Sequence, residues 1–380
     1  MTGALARPAP TTTALGRPKP AIALDLGEPR VPLPAPVGGE VARAAAHVDV
    51  HAYAPPAGLA ALRRLIAERA EHQYGAPVDP RGVTVTHGAS GALAAAILAL
   101  TSPGDTILVP DPGYPAFRSL AQAFGRVPVG YRAEALDAAT MSAALDDAAA
   151  VAGSGLLVWN SPANPTGAVA STEVCATIAA WARERGTPVV TDDVYAGLVY
   201  DGAAASPFPH LGDGPPVVAL GSLSKALAAP GLRVGYAVGS EPVVAEISRM
   251  HWALNMSVST QAQRVAVVLL GAGDALAAHV ASVLEARRDA AVNVLRAEWL
   301  ELPAPAAGLF LWLDVSAALD DERQFARLCL CEGGVAVAPG AAFGDHGRGF
   351  VRLSFGADTP VVVEGARRVA ELHQHLREAR

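Results

Sequence analysis

Leu220-Gly-Ser-Leu-Ser-Lys-Ala-Leu-Ala-Ala-Pro-Gly-Leu-Arg-Val-Gly-Tyr236 is the stretch around which the rest of the chain is read. It holds Lys225, and the 380-residue sequence has only one other lysine, Lys19; arginine serves as the basic side chain elsewhere. A lysine kept where arginine is the habit suggests chemistry that a guanidinium cannot perform. An amine that loses its proton can attack a carbonyl and form a Schiff base. Ser222 and Ser224 offer hydroxyls just before Lys225, Pro230-Gly231 sets a turn, and Arg233 brings a planar fork of donors. These side chains are suited to grip a phosphate dianion beside the amine, so the stretch fits a phosphate-bearing aldehyde. The plain alternative is a surface lysine in a Ser/Gly loop.

Working outward, 380 residues exceed one small core, and two or more hydrophobic units are expected. No apolar run reaches membrane-spanning length; the best, Gly88 to Leu100, contains Ser90. Met1 to Pro20 alternates Ala, Pro and Thr with scattered Arg and has no apolar leader core, so a soluble, cytoplasmic protein is expected, with no membrane partner. A net charge of −7 argues against a general nucleic-acid partner, since backbone binding needs a basic face, although a local basic patch stays open. The three cysteines are Cys175, Cys329 and Cys331, and Cys329-Leu-Cys331 is spaced wrongly for a CxxC pair. Reduced, structural thiols follow, and no metal centre is expected.

In chain order, residues 1–20 read as a flexible Pro/Thr-rich arm. Ala21 to Leu26 reads as a short strand before Gly27-Glu28-Pro29. From His51 a tyrosine, Tyr53, and a Pro/Gly turn precede an amphipathic helix with Leu59, Leu62, Leu65 and Ile66 on one face. Val83 to Thr86 is a β-branched strand leading into His87-Gly-Ala-Ser-Gly and an Ala/Leu/Ile helix. A strand, a Gly-rich turn and a helix N-terminus make a natural phosphate seat. A dinucleotide site is disfavoured, because the full GxGxxG is missing. Asp105 to Pro110 is a strand delivering Asp111-Pro-Gly-Tyr-Pro115, whose Tyr114 sits on a Pro-restricted loop suited to stacking on a flat ring. Leu156 to Trp159 reads as a buried parallel strand ending in Asn160-Ser-Pro-Ala-Asn-Pro-Thr-Gly167. Pro188 to Thr191 is a strand ending in Asp192-Asp-Val-Tyr195, and Val217 to Leu220 is the strand that carries the opening stretch. Alternating β and α segments over residues 83–240 imply a mainly parallel sheet with helices on both faces and ligand at the strands' C-terminal ends. A helix begins near Ser257 to Gln261, and helical sequence runs on to about Leu300. Gly308 to Asp314 is an apolar strand, Val335 to Gly344 a loop, and Phe350 to Phe355 a strand with Arg352 and Ser354 on one face. Arg352 has the donor geometry to hold a carboxylate through two parallel hydrogen bonds.

S-L-S-K-(x)4-P-G-L-R-V-G-Y, together with six other segments in matching order from Gly27 to Arg352, resembles the class I/II aminotransferases that use pyridoxal 5'-phosphate, the fold-type-I, aspartate-aminotransferase-like group. The resemblance covers nearly the whole chain. It implies an α/β fold, with a large domain built on a seven-stranded, mainly parallel sheet flanked by helices, and a smaller α+β domain. It implies pyridoxal phosphate held as an aldimine on Lys225, the catalytic proton shuttle. Gly88, Ala89, Ser90, Ser222, Ser224 and Arg233 match phosphate contacts, and Tyr53 matches the tyrosine that reaches the neighbouring site of a homodimer. Tyr114 matches the residue covering the ring, Asp192 the partner of the ring nitrogen, and Asn164 and Tyr195 the donors to the phenolic oxygen. Asp193 stands where the family usually has Glu, and His87 has no assigned role. Arg352, with Gly27 and Asn164, would meet an amino acid or 2-oxo acid substrate.

The expected domains are an arm over 1–20, an N-terminal segment over 21–50 serving the small domain and the site's mouth, a large domain over 51–270 and a small C-terminal domain over 271–380. The same ring-binding residues would also serve a lyase, a cyclase or an annulating synthase. Acyl-condensing synthases fit less well, since they usually have His in the places of Tyr114 and Tyr195. A non-catalytic regulator on the same fold is disfavoured, because every chemical position is filled and the short N-terminal tail has no DNA-binding pattern. Arg30, His51 and His251 are candidates for substrate selection.

Overall fold

The computed structural model describes residues 22–47, 51–133, 137–202, 204–211, 214–297, 299 and 302–379; the arm expected over 1–20 lies outside them. Twelve strands occur among these residues: β1 Ile22–Ala23, β2 Val83–His87, β3 Thr106–Asp111, β4 Val127–Arg132, β5 Leu156–Asn160, β6 Val189–Asp192, β7 Val217–Ser222, β8 Val234–Gly239, β9 Phe310–Asp314, β10 Val335–Ala336, β11 Ala338–Pro339 and β12 Phe350–Ser354. Seven of them form one sheet in the order β2-β8-β7-β6-β5-β3-β4. β8 pairs antiparallel with both neighbours and the other pairings are parallel, so six strands run one way and β8 alone is reversed. This is the expected mainly parallel α/β sheet.

Side-chain alternation along these strands builds two separate cores. Ile107, Val109, Val158, Val190, Val218 and Leu220 point to the face covered by the helix Gly88–Leu100, where Ala92, Leu93 and Ile97 are buried. Leu108, Leu157, Trp159 and Val189 point to the opposite face, against Val174, Ile178 and Ala182 of the helix Thr172–Arg185. That helix is capped by Ser171, which accepts from the Val174 N–H, and closes on Gly186 in the left-handed conformation.

Beyond the large sheet, β11, β12 and β9 make an antiparallel sheet, and β1 pairs with β10 in parallel. The helices Thr260–Gly271 and Gly273–Leu295 meet at 87°. Leu311, Leu313, Val351, Leu353 and Phe355 are buried with Phe325 and Val362 of the flanking helices Glu322–Cys331 and Thr359–Glu378.

Some expectations are corrected. Of the strand read over Ala21 to Leu26, the described residues place only Ile22–Ala23 in a strand; beyond it the chain turns to bring Gly27 to the cleft. The loop read over Val335 to Gly344 contains β10 and β11, which are two residues each and too short to show a period. β4 escaped notice because Pro128 and Gly130 interrupt its pattern. Proline is tolerated there because β4 is an edge strand. Among the described residues no single helix is long and apolar enough to cross a membrane.

Candidate active site

A cleft of about 430 Å³ opens at the C-terminal edge of the large sheet. Strand after strand ends in it: β2 before Ala89 and Ser90, β3 before Tyr114, β5 at Asn160, β6 at Asp192 and β7 before Ser224 and Lys225. Because β8 is reversed, its beginning faces the same edge and puts Arg233 there. Phe310 of β9 and Arg352 of β12 line the cleft from the smaller sheet, and Leu26, Gly27 and Glu28 line it as well.

One end gathers a helix N-terminus, two serines and an arginine, groups able to hold an anion. The helix Gly88–Leu100 starts there with its free N–H groups. Ser222 Oγ donates to Ser224 Oγ at 2.8 Å and accepts from the Ser224 N–H at 3.0 Å. Arg233 takes the left-handed conformation (φ 55°), a cost of roughly 1 kcal/mol for a residue with a side chain, and donates to the Pro230 carbonyl at 3.1 Å. The approach depends on two glycines. A Cβ on Gly88 (φ +68°) would lie 2.6 Å from Arg233 Nη2, and one on Gly235 would lie 2.5 Å from the Ala89 nitrogen. Just upstream, the His87 N–H donates to Nε2 of the buried His251 at 3.1 Å; burial pushes the His251 imidazole down to about 4, so it stays neutral and can accept.

The other end holds an amine, an acid and an arginine. Lys225 Nζ donates to the Gly27 carbonyl. Burial, then the charges of Arg352 and Arg233, push the Lys225 amine down to about 8, against the opposing pull of Asp192 and Glu28. Asp192 accepts the Val194 N–H at 3.3 Å and has no salt-bridge partner among the described residues. Burial raises its carboxyl to about 7. Asn160 ties this corner together: its amide donates to the Asp192 carbonyl at 2.9 Å and its oxygen accepts the Asn164 N–H at 3.0 Å. Arg352 donates to Asn164 Oδ1 at 2.8 Å and to the Asp25 carbonyl at 2.7 Å. Its guanidinium carbon lies 3.9 Å from the centre of the Phe310 ring and 4.6 Å from that of Phe343. A cation this buried, with Nε unpartnered, is able to pair with a carboxylate. Tyr195 is buried edge-on to Phe310, and burial raises its phenol well above the ordinary value.

The cleft thus gathers Lys225, Asp192, Asn164, Tyr195, Tyr114, Ala89, Ser90, Ser222, Ser224, Arg233, Gly27 and Arg352. Gly88 sits behind the lining, against Arg233. Tyr53 lies outside it and is 77% exposed. Of the candidates for substrate selection, His51 is exposed, Arg30 is paired with Glu28 at 3.1 Å, and His251 is buried behind His87; none lines the cleft. Asp193 points away from the lining and accepts from the Tyr74 hydroxyl at 2.9 Å. Asn160, Val194, Phe310 and Glu28 also line the cleft, although no role was read for them in the sequence. Asn160 had a signal, as the first residue of the Asn160 to Gly167 octet. Phe310 had none, since an apolar residue in an apolar strand reads as core.

Fold and cleft together define an α/β enzyme with its site at the strand ends of a parallel sheet, roofed by a smaller unit. The model of the family aminotransferase class I and II matches residues 19–369. An LL-diaminopimelate aminotransferase of Desulforudis audaxviator is 30% identical over 350 residues, covering 92% of this chain and 89% of the relative. An L-glutamine–4-(methylsulfanyl)-2-oxobutanoate aminotransferase of Bacillus subtilis is 33% identical over 359 residues, covering 93% and 89%. The aspartate aminotransferase of Thermus thermophilus with maleate superposes with a TM-score of 0.84 at 30% identity, over 93% of this chain and 92% of that one. The chain belongs to the class I and II aminotransferases and is an enzyme of that transferase kind.

Proposed function

We propose that the cleft binds pyridoxal 5'-phosphate and uses it to move an amino group between an L-amino acid and a 2-oxo acid. The observation that carries this reading is one cleft in which a depressed amine, Lys225, shares space with a buried acid that has no salt-bridge partner among the described residues, Asp192, between an anion seat and a carboxylate fork. The residues fit the group. The seat made by Gly88, Ala89, Ser90, Ser222, Ser224 and Arg233 suits a phosphate, and a cationic ring nitrogen would give Asp192 the partner it lacks. When bound, pyridoxal phosphate supplies an aldehyde carbon for an amine and a ring that accepts electron density from the substrate's α-carbon.

Asp192 would pair with the ring nitrogen and favour its protonated form. Asn164 turns its carbonyl oxygen to Arg352, which leaves its amide NH2 free to donate to the ring's phenolic oxygen, and the Tyr195 hydroxyl would donate to the same atom. Tyr114 covers the ring face. Lys225 would hold the group through its Nζ and, as a free amine, would take and return the proton of the substrate α-carbon, a task that suits an amine near neutrality. Arg352 binds and orients the substrate carboxylate, with Gly27 and Asn164 beside it.

The active assembly in this reading is a homodimer in which Tyr53 reaches the neighbouring subunit's phosphate seat. Its exposure and the Thr260 hydroxyl, which donates to the Ala52 carbonyl at 2.5 Å and fixes the backbone just before it, support this. Three unpaired cysteines suit a reducing cytoplasm. The boundary between large and small domains is placed near residue 270, in keeping with the bend between the helices Thr260–Gly271 and Gly273–Leu295; the pairing of β1 with β10 supports assigning the N-terminal segment to the small domain.

The test is to load purified protein with pyridoxal phosphate, follow its visible absorption, and add each of the common L-amino acids in turn. Conversion to the pyridoxamine form by at least one donor is expected, and Lys225→Ala should show neither the protein-bound absorption nor turnover. A protein that takes up no cofactor would sink the proposal, and ammonia release without conversion would replace it with elimination chemistry.

A further inference from the structure

Asp111 has no place in the chemistry above, yet it is a 4% exposed carboxylate with an unusually complete set of partners. It ends β3, three residues before Tyr114. Its Oδ2 accepts the Asp345 N–H at 3.1 Å and Arg118 Nη2 at 3.2 Å, and its Oδ1 accepts the His346 N–H at 3.0 Å. Gly344 packs so closely on it that a Cβ there would lie 2.2 Å from Asp111 Oδ1, at a φ of +132° that disfavours any side chain. Two residues along, the Gly113 N–H donates to the Phe343 carbonyl at 2.8 Å. The corner that carries Tyr114 is therefore stitched to the 343–346 segment of the smaller unit by backbone and carboxylate hydrogen bonds. Phe343 is the aromatic wall 4.6 Å from the Arg352 guanidinium, and it also meets Trp312, which faces Arg352 across the β9–β12 pair.

We infer that Asp111 is a positioning residue for substrate. By anchoring the 343–346 segment to the Tyr114 corner, it fixes Phe343 against Arg352 and so sets where the carboxylate fork stands relative to the ring face that Tyr114 covers. The inference rests on the reading of Arg352 as the substrate-carboxylate fork. A carboxylate accepting two backbone N–H groups is suited to this task because its two oxygens define an orientation as well as a distance. The phosphate seat lies on other strand ends, so losing this anchor should disturb substrate binding and spare cofactor binding.

The experiment compares Asp111→Asn, Gly344→Ala and the double variant with wild type, using whichever of the common L-amino acids converts the wild-type holoenzyme fastest. Asp111→Asn leaves one oxygen for two N–H donors, and Gly344→Ala pushes on the same contact from the other side. Each single variant should raise KM for that donor about tenfold and change kcat less than about threefold, and the double variant should add little to either. Affinity of the cofactor-free protein for pyridoxal phosphate, read by absorbance titration, should stay within about twofold. Arg352→Gln is the control. If it raises KM while Asp111→Asn and Gly344→Ala do not, the anchoring role is wrong and the reading of Arg352 stands. If Arg352→Gln leaves KM unchanged, that reading falls and the inference with it. A parallel loss of kcat, substrate affinity and cofactor affinity would show general loosening and overturn the inference. Should Asp111→Asn fail to fold, Gly344→Ala alone still separates these outcomes.

Discussion

A lysine amine in water is almost wholly protonated near neutral pH, whereas at Lys225 a larger share is free to take up a proton or attack a carbonyl, because its surroundings penalise the charge. Its folded pKa, about 8, lies below the ordinary lysine value of 10.5. Between those values the unfolded chain holds a proton that the folded chain has lost. The cofactor-free protein should therefore gain stability from this group as pH rises from about 8 toward 10.5, the cost of the buried charge being fully present below 8. Thermal midpoints across that window should climb in wild type more than in Lys225→Met. Because Arg352 contributes to the depression, Arg352→Gln should move the midpoint for cofactor uptake by Lys225 to higher pH, which stopped-flow absorbance would show; an unmoved midpoint would separate the two charges. At this scale Lys225, Asp192, Asn164 and Tyr195 were legible, since each lies in a short run at the end of an apolar strand. Phe310 and Val194 were not, because only tertiary packing distinguishes an apolar wall of the cleft from an apolar core residue.

Strand ends and helix starts decide where the chemistry stands. The parallel strands β3, β5, β6 and β7 were readable as short strands, β5 as a continuous apolar run, and the cleft lies at their C-terminal ends. β8 was harder to read. Its sequence, Val-Gly-Tyr-Ala-Val-Gly, contains two glycines, and Gly235 is there so that the helix Gly88–Leu100 can begin beside it. The same demand for close approach that builds the anion seat therefore removes the β-branched signal of the strand. Gly88→Ala tests the seat: with a positive φ and Arg233 in the way, it should weaken pyridoxal phosphate binding by about tenfold, measured by titrating the cofactor-free protein.

For the whole molecule, the sequence order of the segments led to the expectation of a larger and a smaller domain, with the ligand at the ends of the parallel strands, but not to the contacts between the large sheet and the smaller one. The Asp111 anchor links residues 234 and 235 positions apart, and no local pattern announces it. Tyr53 carries the prediction about assembly. Sedimentation at micromolar concentration should show a dimer, and Tyr53→Ala should leave it intact while lowering cofactor affinity severalfold, as expected for one lost hydrogen bond to a phosphate. The reversed course of β8 has a last consequence. Arg233, just before β8, and Ala89 and Ser90, just after β2, would grip the same phosphate while the two strands pair with each other, so ligand and hydrogen-bond ladder would hold the same two strands. Filling the cleft should then slow deuterium uptake at the amides of 83–87 and 234–239 more than along β4 on the far edge, and the protein should resist protease best when loaded, with cofactor supply regulating how long the chain survives.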